Sequence, residues 1–380
     1  MKEEWIAEAT AHFESLLREQ LLRQERMAES AEPKDYAHAD SVVIGLVDGD
    51  GIGPIIMREA RRVAEKLLAA EIASGRVELR EISGLTLENR LACGRAVPED
   101  TLAQIKACDV LLKGPTTTPK GGALESANVT LRRELDLYAN VRPVSVPQEG
   151  IDWIFFRENT EGEYALGSRG IELPGELSMD FKVTTDAGTR RIARAAFDYA
   201  RANGKRSVAI VTKANIMKKT DGMFSRIAHE VAADYPEIEA EDWYIDIMSA
   251  NLVNPAVRSR FQVFLLPNLY GDILTDEAAQ IQGGVGTAGS ANIGGRYAMF
   301  EAIHGSAPRK IESGEGDYAN PTSILKALEM LLRHIAMPQK ADRLAEALRL
   351  CAETERRVVV TGHRDGASCR AFGDYVLEKL

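Results

Sequence analysis

SVVIGLVDGDGIGPIIMREARRVAEKLLAA, Ser41 to Ala70, contains the pattern from which the fold class follows. Its opening β-branched run predicts a strand, DGDGIGP (Asp48 to Pro54) predicts a tight turn, and the remainder predicts an amphipathic helix. The glycines match neither GxGxxG nor a P-loop. The turn therefore marks a strand-to-helix crossover near a site, not a Rossmann fingerprint. Downstream the alternation continues, with a strand over Val77–Ile82, a helix opened by Pro98-Glu99-Asp100, and a strand from Asp109 to Pro115. This order predicts α/β layers around a largely parallel sheet.

Upstream, Trp5, Ile6, Ala9, Phe13, Leu16 and Leu17 recur at near-helical spacing among charges and predict an amphipathic helix. Lys2-Glu3-Glu4 and the many further glutamates argue against an export or transit peptide. Packing on its own protein or on a partner subunit is the expected role. SAEPKDYAHADS (Ser30 to Ser41) reads as a linker.

With 380 residues the chain exceeds what one core organises, so two lobes are expected. Hydrophobic content of 45% and 27% charged residues fit a soluble globular protein. A formal charge of −10 without a Lys/Arg-rich block argues against a nucleic-acid partner. No run approaches the roughly 18 apolar residues of a membrane span. Cys93, Cys108, Cys351 and Cys369 lack CxxC spacing, which fits a reducing, cytoplasmic setting better than disulfides or zinc.

The most chemically loaded stretch is TTTPKGGALESANVTLRRELDLYANVRP, Thr116 to Pro143. A helix from Ser126 to Asp136 places Asn128 and Arg132 one turn apart on one face, with Ser126 at its start. Helix N–H groups, hydroxyl and amide donors and guanidinium forks suit a small polycarboxylate. Arg142, and Arg157 in FFRENTEGEY, add positive charge. Any one of these arginines alone reads as a surface charge; their concentration in an acidic chain is the signal. Tyr164 closes RENTEGEY. SVAIVTK predicts a strand delivering Lys213 at its C-terminal end, where α/β proteins bind ligands.

FQVFLLPNL (Phe261 to Leu269) predicts a short strand, and NLYGDILTDEAAQ a helix in which Asp272 and Asp276 share a face. Paired carboxylates repel unless a cation or a shared proton lies between them, and hard ions such as Mg²⁺ or Mn²⁺ prefer such oxygens. DWYIDIM, expected as a strand, supplies a third acid, Asp246. GGVGTAGSANIGG (Gly283 to Gly295) reads as a flexible loop, EAIHGSAPRK presents His304, and an ANP turn (Ala319 to Pro321) opens a long helix. VVVTGHRDGASCRAFGDYVLEKL predicts a last strand, loop and helix.

DGDGIGP, KGPTTTP, SANVTLRRELDLYANVRP, FRENTEGEY, TKANIMKKTDGMF, NLYGDILTDEAAQIQGG, HGSAP and ANP, in this order, resemble the metal-dependent β-decarboxylating dehydrogenases that act on isocitrate, 3-isopropylmalate and homoisocitrate. The first forty residues lie outside the resemblance. It implies a two-lobed isocitrate/isopropylmalate dehydrogenase-like α/β fold with a non-Rossmann nucleotide site. The large lobe would comprise 41–137 and 283–380, the small lobe 138–282, and residues 1–40 the added helix and linker. His304, Gly305, Ser306, Ala307 and Asn320 would hold the adenosine half of the coenzyme, with Thr117 near the nicotinamide. Arg132, Arg142 and Arg157 would grip substrate carboxylates. Asp272 and Asp276 would bind Mg²⁺ or Mn²⁺, joined by Asp246 and Lys213 from the second subunit of a homodimer. Lys213 would assist loss of the hydroxyl proton, and Tyr164 would return a proton to carbon.

Ser126 and Asn128 stand where isopropylmalate enzymes of this family carry apolar or acidic residues. Two donors there suit a third carboxylate, so isocitrate is expected, with homoisocitrate or 3-isopropylmalate as alternatives and a non-catalytic regulatory subunit as a rival. After HGSAP, NAD-dependent members carry Asp, whereas this chain has Arg309 and Lys310, which suit the phosphate of NADP. The loop expected from Arg309 to Tyr318 is longer than the family pattern and His363 and Arg364 can approach it, so NAD and NADP both stay open.

Overall fold

The structure, a computed structural model, describes residues 2–28, 34–119, 121–122 and 124–380. Part of the expected linker, residues 30–33, thus lies outside the described residues. The chain divides into two compact units: Met1–Glu32, Tyr138–Asn140 and Ser145–Ala278 form the first, and Pro33–Leu137, Val141–Val144 and Ala279–Leu380 the second.

Helix α1 (Lys2–Ala28) belongs to the first unit and β1 (Val42–Val47) opens the sheet of the second. Helix α2 (Gly53–Leu67) carries Pro54 in its first turn and buries Ile56, Met57, Ala60, Val63, Ala64 and Leu67, one face at 3–4 residue spacing. The short α3 (Ala69–Ala73) leads into β2 (Val77–Glu81). Helix α4 (Leu87–Cys93), capped by Thr86 and ended by Gly94 at φ 67, is too short for periodicity to have announced it. Then come α5 (Glu99–Lys106), β3 (Val110–Lys113), α6 (Ala127–Glu134) and β4 (Ala139–Val146), whose residues are shared between the units.

The first unit continues with β5 (Ile151–Glu158), the hairpin of β6 (Ile171–Leu173) and β7 (Leu177–Met179), and α7 (Asp186–Ala202). It is completed by β8 (Ser207–Thr212), α8 (Thr220–Ala232), β9 (Glu239–Tyr244), α9 (Ile245–Leu252), β10 (Val263–Leu266) and most of α10 (Asn268–Ile281). Strands β5, β10, β8 and β9 lie side by side in that order, all parallel. Phe155 and Phe264 stack at 4.3 Å across β5 and β10, with Trp153 edge-on to Phe264.

The second unit adds β11 (Gly289–Ile293), β12 (Ala298–Ala302), α11 (Pro308–Glu312), α12 (Thr322–His334), α13 (Pro338–Arg349) and α14 (Cys369–Lys379). Its strand order is β2, β1, β3, β12, β11, parallel except for β11 with β12. Ile44, Leu112, Phe300 and Leu328 lie in its core. The described part of the linker is packed: Tyr36 is buried against His334, ring centroids 5.3 Å apart. Cys108, Cys351 and Cys369 are buried and Cys93 is exposed, all as free thiols.

Four expectations need correction. DWYIDIM is not one strand: β9 ends at Tyr244, and Asp246 falls in the first turn of α9, where an acid is favoured by the helix dipole. The glycine-rich stretch from Gly283 is not a loop throughout, because β11 pairs along its length with β12. Gly289 is there for close packing, since a Cβ would come within 2.6 Å of Ala327 N on α12. The stretch from Arg309 to Tyr318 folds into α11 and a 3-10 turn. VVV at 358–360 forms no strand; Val358 and Val360 gain burial against the core while Val359 is exposed.

Candidate active site

Strand β5 carries Arg157 one residue before its end, and α10 starts two residues beyond β10, so both deliver polar groups at strand ends. Asn268 Oδ1 accepts from Arg157 Nε at 2.9 Å and from Nη2 at 2.6 Å. One turn along α10, Asp272 accepts from Arg157 Nη1 on one oxygen and from the Tyr164 hydroxyl on the other, at 2.8 Å. Arg157 is 1% exposed, so its charge demands this pairing. Gly271 makes the approach possible: a Cβ would lie 2.5 Å from Arg157 Cγ. A further turn on, Asp276 is exposed on the same helical face. Two carboxylates one turn apart, one of them half-exposed, are the hard-oxygen donor type that a divalent cation takes, and among the described residues no third His, Cys, Asp or Glu completes a set with them.

Lys213 follows β8, and its Nζ lies 2.6 Å from Asp246 Oδ1. The hydrogen bond from Lys213 lowers the Asp246 pKa. The Lys213 backbone is fixed by its N–H donating to the buried Asp221 at 2.7 Å, and Lys182 Nζ neutralises Asp221 at 2.6 Å.

In the second unit the DGDGIGP turn is a hub. Asp50 accepts from Thr117 N at 2.8 Å, Leu87 N at 2.7 Å and Arg90 Nη2 at 2.9 Å. Thr117 Oγ1 lies 2.6 Å from Ser306 Oγ, and Ile52 N donates to Ser306 O at 3.0 Å. At Gly51, φ is 59° and a Cβ would sit 2.0 Å from Ser306 O, so only glycine allows the contact. The expected coenzyme residues Thr117 and Ser306 are thereby joined. Ala307 is left-handed at φ 45 and caps α11. Desolvation of the His304 ring lowers its pKa. Gly305 is exposed beside it, and Asn320 Oδ1 accepts from Thr322 N at the head of α12. Lys310 donates to Gly362 O, whereas Arg309 is exposed.

Ser126 is the N-cap of α6, but its side chain makes no capping bond. Asn128 Oδ1 accepts from Thr116 Oγ1 at 3.0 Å, which turns its amide nitrogen away from Thr116. Arg132 is buried and reaches Glu301 at 3.2 Å, and Lys113 reaches the other oxygen of Glu301 at 3.1 Å. Burial alone would raise the Glu301 pKa; Lys113 and Arg132 overcome this and hold it at about 2. Arg142 is buried on β4.

Sequence reasoning passed over Asn268, Asp50, Asp221, Glu301 and Lys113. Asn268 had a signal, since it stands four residues before Asp272. Lys113 had another, a charge closing an otherwise apolar strand. Asp221, Asp50 and Glu301 act through contacts between distant segments and left none.

A sequence model of the isocitrate/isopropylmalate dehydrogenase family matches residues 43–376. The chain belongs to this family. Among isocitrate/isopropylmalate dehydrogenases, a probable isocitrate dehydrogenase [NAD] subunit alpha, mitochondrial, from Caenorhabditis elegans is 38% identical over 322 residues, covering 82% of this chain and 85% of the relative. A 3-isopropylmalate dehydrogenase, chloroplastic, from Solanum tuberosum is 41% identical over 318 residues, covering 80% and 83%. The crystal structure of isocitrate dehydrogenase from Methylococcus capsulatus superimposes with a TM-score of 0.79 at 38% identity, covering 89% of this chain and 99% of that one. Helix α1 precedes the matched family region. Among the described residues, no helix is long and apolar enough to cross a membrane.

Proposed function

We propose that this member of the family oxidises and decarboxylates isocitrate to 2-oxoglutarate and CO₂, reducing NAD or NADP, with Mg²⁺ or Mn²⁺. The convergence of Arg157 and Tyr164 on Asp272 carries the reading, because it groups a carboxylate grip, a proton donor and a candidate metal ligand. Overall identity does not rank the substrates, since relatives with either name match similarly. The residue types at Ser126 and Asn128 favour isocitrate: a buried donor left facing an isopropyl group costs about 1–3 kcal/mol.

In this reading Arg132, Arg142 and Arg157 bind and orient the substrate carboxylates. Asp272 and Asp276 would hold the divalent cation, which would supply Lewis-acid stabilisation of developing negative charge, and a bound nicotinamide coenzyme would supply the hydride acceptor. Lys213 assists loss of the hydroxyl proton. After CO₂ leaves, Tyr164 donates its hydroxyl proton to the carbon it left. Thr117, His304, Gly305, Ser306, Ala307 and Asn320 hold the coenzyme. The exposed Arg309 supports a coenzyme carrying a 2′-phosphate. We further propose a homodimer in which Lys213 and Asp246 serve the partner's site; the exposure of most of the Asp246 side chain supports this.

Assaying the purified chain against isocitrate, homoisocitrate, 3-isopropylmalate, malate and tartrate with NAD and NADP tests the proposal. Isocitrate turnover that requires Mn²⁺ and stops with chelator is expected. Mn²⁺-dependent turnover confined to another substrate would replace isocitrate, and none at all would leave the regulatory-subunit reading.

A further inference from the structure

Helix α1 lies outside the matched family region, yet it is bonded into the first unit rather than appended to it. Leu16 is buried, Phe13 meets the Phe181 ring at 5.4 Å, and Glu19 pairs with Arg169 at 2.7 Å. Its Arg23 makes a part-buried polar contact. Nη2 donates to Thr160 Oγ1 at 3.0 Å, and Nη1 lies 3.3 Å from Glu161 Oε1. The two side chains are 15% and 3% exposed.

Glu161 forms one half of a buried acid pair. The other is Glu158, which accepts from Thr160 N and Oγ1 and from Glu161 N. Burial and the neighbouring Glu161 push the Glu158 pKa well above the usual carboxylate range. Two arginines reach the pair's Thr160: Arg23 from α1, and Arg191 from α7 at 3.2 Å. The turn that these groups organise runs from Arg157 to Tyr164. Its Glu161 carbonyl accepts from Asn268 Nδ2 at 3.0 Å, and the same Asn268 side chain receives Arg157. A continuous chain of polar contacts thus links Arg23, through Glu161 and Asn268, to Arg157 and Asp272.

We propose that Arg23 is a positioning residue: by pairing with Glu161 and donating to Thr160 it holds the 157–164 turn in the conformation that directs Arg157 and Tyr164 onto Asp272. The segment outside the shared family fold thereby sets the geometry of the candidate active site. This inference rests on the function proposed above for Arg157 and Tyr164.

The test uses full-length Arg23→Ala, Arg23→Lys and, as a control that loosens α1 without touching the acid pair, Glu19→Gln. With isocitrate and Mn²⁺, Arg23→Ala is expected to lower kcat about 10- to 100-fold, the scale of a roughly 1 Å misplacement of reacting groups. The coenzyme KM should not change. Added methylguanidinium should restore part of the lost rate, Arg23→Lys should keep most of it, and Glu19→Gln should match the wild type. A wild-type kcat in Arg23→Ala, an equal loss in Glu19→Gln, or no response to methylguanidinium overturns the proposal. If Arg23→Ala does not fold, Arg23→Gln, which removes the charge, is read in its place: a kcat below wild type with unchanged coenzyme KM supports the role, and an unchanged kcat overturns it. If the wild type turns over no substrate, the functional reading fails separately. Amide hydrogen exchange over residues 158–166 then decides: faster exchange in the folded Arg23 variant supports the role, and unchanged exchange removes it.

Discussion

The Tyr164 hydroxyl donates to Asp272 Oδ2 at 2.8 Å, on the carboxylate whose other oxygen receives Arg157. The hydroxyl proposed as a proton donor and a candidate metal ligand are therefore fixed to each other. Tyr164→Phe keeps the ring and removes the proton. Its kcat for isocitrate should fall about 10²- to 10⁴-fold, the usual worth of a positioned general acid. Steady-state kinetics should show little change in the isocitrate KM, because the carboxylate grip is untouched.

Asn128 tests substrate choice. Asn128→Val removes the amide that would face the third carboxylate and presents an apolar surface. A loss of about 10- to 100-fold in kcat/KM for isocitrate is expected, together with a relative gain for 3-isopropylmalate. Competing the two substrates in one assay measures the ratio directly.

Arg309 is exposed at the start of α11, whereas its neighbour Lys310 is occupied by Gly362. Reversing the charge with Arg309→Asp should raise the KM for NADP by at least about tenfold, one charge-assisted contact, and leave that for NAD unchanged or lower. Equal effects on both coenzymes would remove Arg309 from the phosphate site.

Glu301 gives a pH dependence with a defined sign. Its carboxyl is held at about 2 against an ordinary 4.5, so the folded state binds its proton less readily than the unfolded chain. The stabilisation is present above 4.5 and is lost as pH falls from there through 2. It amounts to about 3 kcal/mol at most, at roughly 1.36 kcal/mol per unit. Urea unfolding of wild type should weaken across that window. Glu301→Gln should flatten the slope and lower stability at neutral pH, because Lys113 and Arg132 lose their shared counter-charge.

Much of this was legible in the sequence because it rests on local rules. The first strand, turn and helix were read from apolar period and glycine, and the Asp272–Asp276 face from helical spacing alone. Asp246 was misplaced because an alternating stretch, DWYIDIM, changes from strand to helix at a boundary that no residue type marks. The glycines near Gly289 suggested flexibility, where the structure uses one for close packing. Asp221 was invisible for a different reason: its function is to hold a backbone N–H and a buried lysine, contacts specified by the fold and not by spacing. Arg23 was one charge among many on a surface helix until its partner Glu161 was known.

The backbone contact between Gly51 and the Ser306 carbonyl joins the turn after the first sheet strand to a loop from the last third of the chain. Strand β3 likewise finds a neighbour only in β12 on its far side from β1. The second unit is thus a structure of high contact order, and its early strands wait through synthesis for partners that emerge from the ribosome much later. The first unit draws nearly all of its sheet from one continuous stretch and has no such delay. Assembly during translation should therefore leave one edge of β3 (Val110–Lys113) unpaired until β12 (Ala298–Ala302) emerges, which makes that edge a natural target for a chaperone.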